Sequence, residues 1–157
     1  MQKKKLLFVC LGNICRSPLA HAVFESKVRE SGLEDRFEIE SCGIGDWHVG
    51  EMPDERMIAE AKKHGIVMDH PGRTLQETDV EYYDLILPMD TANKKDLLSH
   101  ATEEQAEKIQ LFRTFDPETE DEFAEVPDPY YGGPEGFTHV YEIVDRTCDV
   151  LLEYLTK

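Results

Sequence analysis

An unbroken apolar run, Leu6-Leu-Phe-Val9, stands between Lys3-Lys4-Lys5 and the pair Gly12-Asn13. Four consecutive apolar residues bounded by charge and turn residues describe a strand buried on both faces. Such strands belong to parallel sheets covered by helices. The periodicity then changes at once. Ser17-Pro18 reads as N-cap and first helical residue, with Leu19, Ala22 and Val23 at the i, i+3, i+4 spacing of a buried face. Ser31-Gly32 marks the end of that helix.

The same alternation continues down the chain. Phe37 to Ser41 alternates as a second strand, and Pro53-Asp54 opens a helix that turns Met57, Ile58 and Ala61 inward and stops at His64-Gly65. Asp84 to Leu87 is a third buried strand, a short helix begins near Asp90-Thr91, and Ile109 to Phe112 is expected as a fourth strand. A polar, proline-bounded loop runs from Asp116 to Pro134. In the last helix Val140, Ile143, Val144, Cys148, Leu151, Leu152 and Leu155 share one face. Strands alternating with helices imply an α/β fold: a parallel sheet with right-handed crossovers and helices on both faces. With no repeat or low-complexity linker, residues 1–157 form one domain. Ligands in such folds bind beyond the carboxyl ends of the strands, so chemistry is expected in the turn after the first strand.

Composition narrows the function classes. Hydrophobic residues make up 40% of the chain, enough for a core without disulfide staples. The formal net charge of −16 disfavours nucleic-acid binding through a broad basic face. No run approaches the roughly 18 apolar residues of a spanning helix, so no membrane insertion is expected. The N-terminal lysines and apolar run resemble a signal peptide only until Gly12-Asn13, with no small-residue cleavage site after them. The expected location is cytoplasmic. The excess acid lies in residues 37–157, densest at Glu118-Thr-Glu-Asp-Glu122, which reads as a solvated loop or as a docking surface for a basic partner. Of the four cysteines, Cys10 and Cys15 are spaced neither as a zinc knuckle nor as a thioredoxin pair. Their reactivity is the better question, since structural disulfides are unusual in a reducing compartment.

The turn in question is Val9-Cys-Leu-Gly-Asn-Ile-Cys-Arg-Ser-Pro18, a passage from a strand into a helix N-terminus. It can wrap backbone N–H groups around a tetrahedral anion, with the helix dipole aimed at it. Gly12 permits close backbone approach or positive φ, and Arg16 supplies a planar fork for two phosphoryl oxygens. Cys10, the last strand residue, places its sulfur at the floor of the loop, where the helix terminus and the guanidinium favour the thiolate. Ser17 can donate a hydroxyl hydrogen bond to that sulfur. No Gly-Lys-Ser/Thr follows, which excludes a Walker-type nucleotide site. By itself a Cys followed six residues later by Arg is weak, and an inert buried Cys in an ordinary turn is the competing reading. Phosphoryl transfer to sulfur also needs an acid for the leaving group. Asp128, in Val126-Pro-Asp-Pro-Tyr-Tyr-Gly-Gly133, sits in a stiff extended loop and is the candidate, with a plain turn Asp as the alternative.

Taken together, Cys10-Leu-Gly-Asn-Ile-Cys-Arg-Ser-Pro18 and Asp128-Pro-Tyr-Tyr131 resemble the signature loop and the acid loop of the low-molecular-weight protein tyrosine phosphatases. Asp46-Trp-His-Val-Gly50 resembles their cleft wall. The resemblance spans nearly the whole chain. It implies a flavodoxin-like, four-stranded parallel sheet, no metal and no cofactor, tyrosine-phosphorylated proteins as partners, and inorganic phosphate as product and inhibitor. It makes Cys10 the nucleophile, has Arg16 and the amides of Leu11, Gly12, Asn13, Ile14 and Cys15 bind the phosphoryl oxygens, and makes Asp128 the general acid and then base. Asn13, Ser17, Ser41 and His70 correspond to a hydrogen-bond network that shapes the loop. Leu11, Trp47, Tyr130 and Tyr131 correspond to walls that admit a flat phenyl phosphate, and Cys15 to a thiol that traps oxidised Cys10 as a reversible disulfide.

Other residues read as structural. Cys148 lies on the apolar stripe of the last helix, and Cys42 sits beside a strand end. His21, His64, His100 and His139 show no metal-ligand spacing. Arsenate reductases of related fold need further cysteines, and residues 80–92 contain none. Protein arginine phosphatases carry Thr where Ile14 stands and lack the second Tyr of the acid loop. A phosphate-binding module built on a dead phosphatase would be expected to have lost Cys10 or Asp128, and both are present, while a redox-sensor role through Cys10 and Cys15 is compatible with catalysis and would only regulate it.

Overall fold

The computed structural model describes residues 3–119, 124–129 and 133–157. Strand β1, Lys4–Cys10, occupies the centre of a three-stranded parallel sheet between β2, Phe37–Gly43, and β3, Leu85–Pro88, in the order β2-β1-β3. Leu6, Leu7, Phe8 and Val9 have no exposed surface, as the continuous apolar run requires. Their side chains alternate between two layers. Leu6, Phe8 and Cys10 face helices α1, Arg16–Glu30, α2, Glu55–Lys62, and α6, Pro134–Thr156. Leu7 and Val9 meet Val80 of α3, Asp79–Tyr82, and Leu97 of α4, Thr91–Leu98, on the other side. Phe8 is the hub of the larger layer, with ring centroids 6.0 Å from Phe24 and 5.7 Å from Phe112. Each such ring contributes roughly 2–3 kcal/mol by burial. The stripe of α6 packs along α1, with Val140, Ile143, Val144, Cys148 and Leu151 fully buried and Leu152 and Leu155 partly so.

The fourth strand reduces to one bridge. Ile109 pairs with Ile86, Ile86 donating its N–H to the Lys108 carbonyl and Gln110 returning one to Ile86. The chain then leaves the sheet in a 3-10 turn, Phe112–Phe115, because Phe112 is drawn into the core against Phe8. Helix α5, Glu103–Ala106, is an addition to the elements read from the sequence. Its capping box joins Thr102 and Gln105. The polar loop is tied down at its start. Asp116 is buried, accepting from Arg113 Nε at 2.9 Å and from Arg146 Nε and Nη2 at 2.8 and 3.0 Å. Burial pushes its carboxyl up, but the two guanidiniums outweigh that and hold it at about 2. No helix among the described residues is long and apolar enough to cross a membrane.

In the order β2-β1-β3 the chain moves from β1 to one side and then back across to the other. The switch point therefore lies between the carboxyl ends of β1 and β3. Cys10 closes β1 there, and Asp90 follows two residues after β3.

Candidate active site

Helix α1 begins one residue after Cys15, which is its N-cap, and not at Ser17-Pro18. Ser17 lies inside the first turn with its side chain turned back to the strand end. Its Oγ is 2.9 Å from Cys10 Sγ, accepts from Asn13 Nδ2 at 2.8 Å, and lies 3.3 Å from the Cys42 carbonyl. A hydroxyl has one proton. When Cys10 is a thiolate that proton goes to sulfur, while Asn13 supplies the donor that the oxygen accepts. The left-handed residue of the loop is Asn13, at φ 58°, and not Gly12. Asn tolerates that conformation better than bulkier residues, and its Oδ1 is held by the Arg73 N–H at 3.0 Å. Arg73 is itself fixed by a two-point pair with Asp79, Nη1 at 2.9 Å and Nη2 at 3.1 Å. Gly12 provides close approach instead: a Cβ there would stand 3.0 Å from His48 Cδ2.

The loop carbonyls are committed outward. Cys10 O accepts from Ile44, Leu11 O from Gly45, Ile14 O from Asp54 and Cys15 O from Leu19. In a trans peptide the next N–H points opposite to the carbonyl. The amides of Leu11, Gly12, Cys15 and Arg16 therefore point away from those partners. Gly43 lies under the loop: a Cβ there would sit 2.9 Å from Leu11 O and Gly12 C.

Arg16 is buried, 3% exposed, and held by three groups. Its Nη1 donates to Asp90 Oδ2 at 2.7 Å and to the Val126 carbonyl at 3.1 Å, and its Nη2 lies 3.7 Å from Asp128 Oδ2. Burial pulls the guanidinium down, but Cys10, Asp90 and Asp128 outweigh it, and Arg16 stays a cation. Asp128 is exposed at the mouth of the site. Its segment is docked through Val126, whose N–H bonds the Met89 carbonyl at 2.8 Å, and through Glu125, which accepts from the Thr91 N–H at 2.7 Å.

A cavity of about 340 Å³ results, lined by Cys10, Leu11, Gly12, Ile14, Cys15, Arg16, Trp47, His48 and Asp128. Leu11 and Trp47 are exposed apolar walls. The Trp47 ring covers Gly45, where a Cβ would collide with it. Tyr130 and Tyr131 lie outside the described residues. Cys15 is buried, and that burial, with Asp54 beside it, pushes its thiol far up, so it is a neutral S–H. Cys42 and Cys148 are fully buried with thiols likewise pushed up by desolvation.

His70 is not where the resemblance implies. The partner of Ser41 Oγ is His21 Nδ1, at 3.1 Å. His70 stacks on His21 with ring centroids 4.1 Å apart and stands on the solvent side, its Nε2 3.6 Å from Glu25 Oε1. His21 occupies the inner position because it lies one turn after Ser17 on the buried face of α1. Its sequence signal was the i, i+4 spacing from Ser17. Asp90 and Arg73 were also missed. Asp90 shows in the sequence only as a helix start, a role it does fill by accepting from the Asn93 N–H at 2.8 Å.

The family described as low molecular weight phosphotyrosine protein phosphatase matches residues 5–157. A low molecular weight phosphotyrosine protein phosphatase of Schizosaccharomyces pombe is 43% identical, covering 94% of each chain. A protein of the same description from Homo sapiens is 38% identical over 96% of this chain and 94% of its own. Among solved structures, a protein tyrosine phosphatase from Entamoeba histolytica with Hepes in its active site superposes with a TM-score of 0.93 at 37% identity, covering 98% of this chain and 97% of that one. YfkJ from Bacillus subtilis superposes at 0.92 with 34% identity, covering 99% and 96%.

Proposed function

This chain belongs to the low-molecular-weight phosphotyrosine protein phosphatase family and is a hydrolase acting on phosphotyrosine, and we propose that it works through a phosphocysteine at Cys10 with Asp128 as general acid and base. The observation that carries this reading is one alignment of groups. Cys10 Sγ lies at the cavity floor, 2.9 Å from a hydroxyl donor, with Arg16 clamped beside it and Asp128 at the mouth.

The thiolate of Cys10 attacks phosphorus, and the bond from phosphorus to the tyrosyl oxygen breaks. Asp128 gives its proton to that oxygen, so tyrosine leaves neutral. Water then attacks the phosphocysteine while the Asp128 carboxylate takes its proton, the S–P bond breaks, and phosphate leaves. Arg16 and the loop amides neutralise charge on the transferring oxygens, where stabilisation lowers the barrier most. The Ser17 hydroxyl supports the thiolate as nucleophile and as leaving group. Leu11, Ile14 and Trp47 offer apolar surface to a flat aryl ring above a deep phosphate site, which favours phosphotyrosine over phosphoserine. An apolar Ile14 on the wall also gives a guanidinium phosphate no polar partner there. Cys15, next to the nucleophile in the same loop, is the thiol that would condense with a sulfenic acid at Cys10.

The test is hydrolysis of 4-nitrophenyl phosphate and phosphotyrosine in the presence of a chelator, beside phosphoserine and phosphoarginine, for wild type and Cys10→Ser. Aryl phosphate turnover that disappears in the variant supports the cysteine route. Absence of turnover under reducing conditions overturns it, and preference for phosphoarginine overturns the substrate class.

A further inference from the structure

We propose that His21, Glu25 and His70 form a binding site for one divalent transition-metal cation of the zinc class, separate from the phosphoryl site. The ligand atoms of the three lie within 4.8 Å of one another. His21 Nε2 is 3.3 Å from Glu25 Oε2, and His70 Nε2 is 3.6 Å from Glu25 Oε1, so the carboxylate turns one oxygen to each ring. Ligand atoms about 2.0–2.1 Å from a tetrahedral zinc stand roughly 3.3 Å apart. The His21–Glu25 pair already has that separation.

His21 is built as a ligand. Its ring is fully buried, and Nδ1 is engaged by the Ser41 hydroxyl at 3.1 Å. In the metal-free protein Nε2–H donates to the Glu25 carboxylate and the Ser41 hydroxyl donates to Nδ1. A cation bound at Nε2 displaces that proton, and the ring takes one at Nδ1, which it donates to the Ser41 oxygen. This is the outer contact that metal-binding histidines characteristically make, and it fixes both tautomer and ring orientation. Glu25 follows His21 by one helical turn, so both project from one side of α1. His70 closes the site from the segment between α2 and β3. Its side chain is 40% exposed, which gives the cation an entry path and leaves a solvent-facing position for water as a fourth ligand.

The rings now stack, 25° from parallel. A metal must lie in the plane of each imidazole that binds it, so loading turns the His70 ring toward solvent while His21 stays fixed. Two further carboxylates and one cation flank the cluster: Glu40 Oε1 is 3.9 Å from His21 Nδ1, Asp69 Oδ1 is 4.0 Å from His70 Nε2, and Arg29 Nη2 is 3.8 Å from Glu25 Oε1. With Glu25 itself counted, the surrounding formal charge is negative, which favours a dication. Two imidazoles with one carboxylate suit Zn²⁺, whereas Mg²⁺ and Ca²⁺ require oxygen ligands. The metal-ligand spacing is invisible among the histidines alone, because the third ligand is a carboxylate and His70 comes from a distant segment.

The experiment is a Zn²⁺ titration of the reduced protein in competition with a chromophoric chelator, for wild type, Glu25→Gln and His70→Ala, with Co²⁺ as a spectroscopic substitute. His70 stands on the solvent side, so its removal leaves the core intact, which circular dichroism checks. Expected are one Zn²⁺ per chain and at least a tenfold loss of affinity in each variant. The Co²⁺ complex should show visible bands without sulfur-to-metal charge transfer. Absence of saturable binding, equal affinity in His70→Ala, or thiolate bands that place the ion on Cys10 or Cys15 would each overturn the proposal. The readout is binding, so failure of the phosphatase mechanism leaves it intact.

Discussion

Asp90 holds two donors on two oxygens. Oδ1 accepts the Asn93 N–H that caps α4, at 2.8 Å, and Oδ2 accepts Arg16 Nη1, at 2.7 Å. Asp90→Ala abandons both. The lost cap costs about 1 kcal/mol, and the lost charged hydrogen bond to a buried guanidinium costs about 1.5–3 kcal/mol. A total of about 3 kcal/mol corresponds to a Tm lower by roughly 6–12 °C in a chain of this length. Arg16 would retain the Val126 carbonyl and the longer approach to Asp128, neither of which fixes the plane of the fork. The substrate must then order it, and kcat/KM on 4-nitrophenyl phosphate should fall roughly ten- to hundredfold. Asp90→Asn sharpens the test because an amide has one acceptor oxygen for two donors. One orientation keeps the cap and sets an NH₂ group against the guanidinium. The other keeps Arg16 and loses the cap. Thermal unfolding and steady-state kinetics on the same samples should therefore show Asn with one of the two deficits and Ala with both. An Asp90→Ala protein that loses stability but keeps wild-type kcat/KM would refute the claim that Asp90 holds Arg16 for catalysis.

Asp128→Ala should lose activity most on phosphotyrosine and least on esters with good leaving groups, measured as kcat/KM across a series of aryl phosphates; equal losses would rule out the acid role. Gly43→Ala places a methyl group 2.9 Å from the Leu11 carbonyl, where only backbone can yield, so the loop must shift. We expect a loss of about 1–3 kcal/mol in chemical denaturation and a fall in kcat/KM of more than tenfold; an unaltered enzyme would mean that the loop accommodates the group freely. Asp116→Ala breaks a buried carboxylate pair and should cost about 3 kcal/mol at neutral pH. The native carboxyl at about 2 lies below its unfolded value near 3.9. Its contribution is therefore complete above about pH 5 and is lost progressively as pH falls through 2, so the Tm gap between wild type and variant should narrow strongly between about pH 5 and pH 2. A gap at pH 2 as large as that at pH 7 would show that the charge is not the cause.

The first strand and the loop after it were legible because their requirements are local. A run buried on both faces needs four apolar residues, and an anion cradle needs Gly, Asn and a helix start in order. The last helix was legible for the same reason, its stripe being a property of one segment. The fourth strand misled because Ile109 to Phe112 has strand-like composition, while the fate of Phe112 is decided by Phe8, about a hundred positions away. His21 and His70, outside the cavity lining, illustrate the same limit. Each is an ordinary histidine in sequence, and only the register of α1 against β2 determines which one meets Ser41. Asp90 was hidden by its second occupation, since a cap residue already accounts for an Asp before a short helix. The Asp128 segment is placed by Val126 against Met89, a contact that no spacing rule anticipates.

The bond from Arg16 to the Val126 carbonyl has a consequence for how this enzyme can vary. Arg16, proposed to grip the phosphoryl group, and the segment that carries Asp128, the proposed acid, share one hydrogen bond, so neither has an independent setting. Substitutions on the two sides should be less than additive, because the first to loosen the bond already displaces both functions. Within related chains, changes in leaving-group preference would then arise at the far walls, where Trp47 and His48 stand on a separate segment, and rarely in the acid segment itself. On the proposed mechanism the fold leaves the Trp47–His48 wall adjustable while tying Arg16 and the Asp128 segment into a single mechanical part.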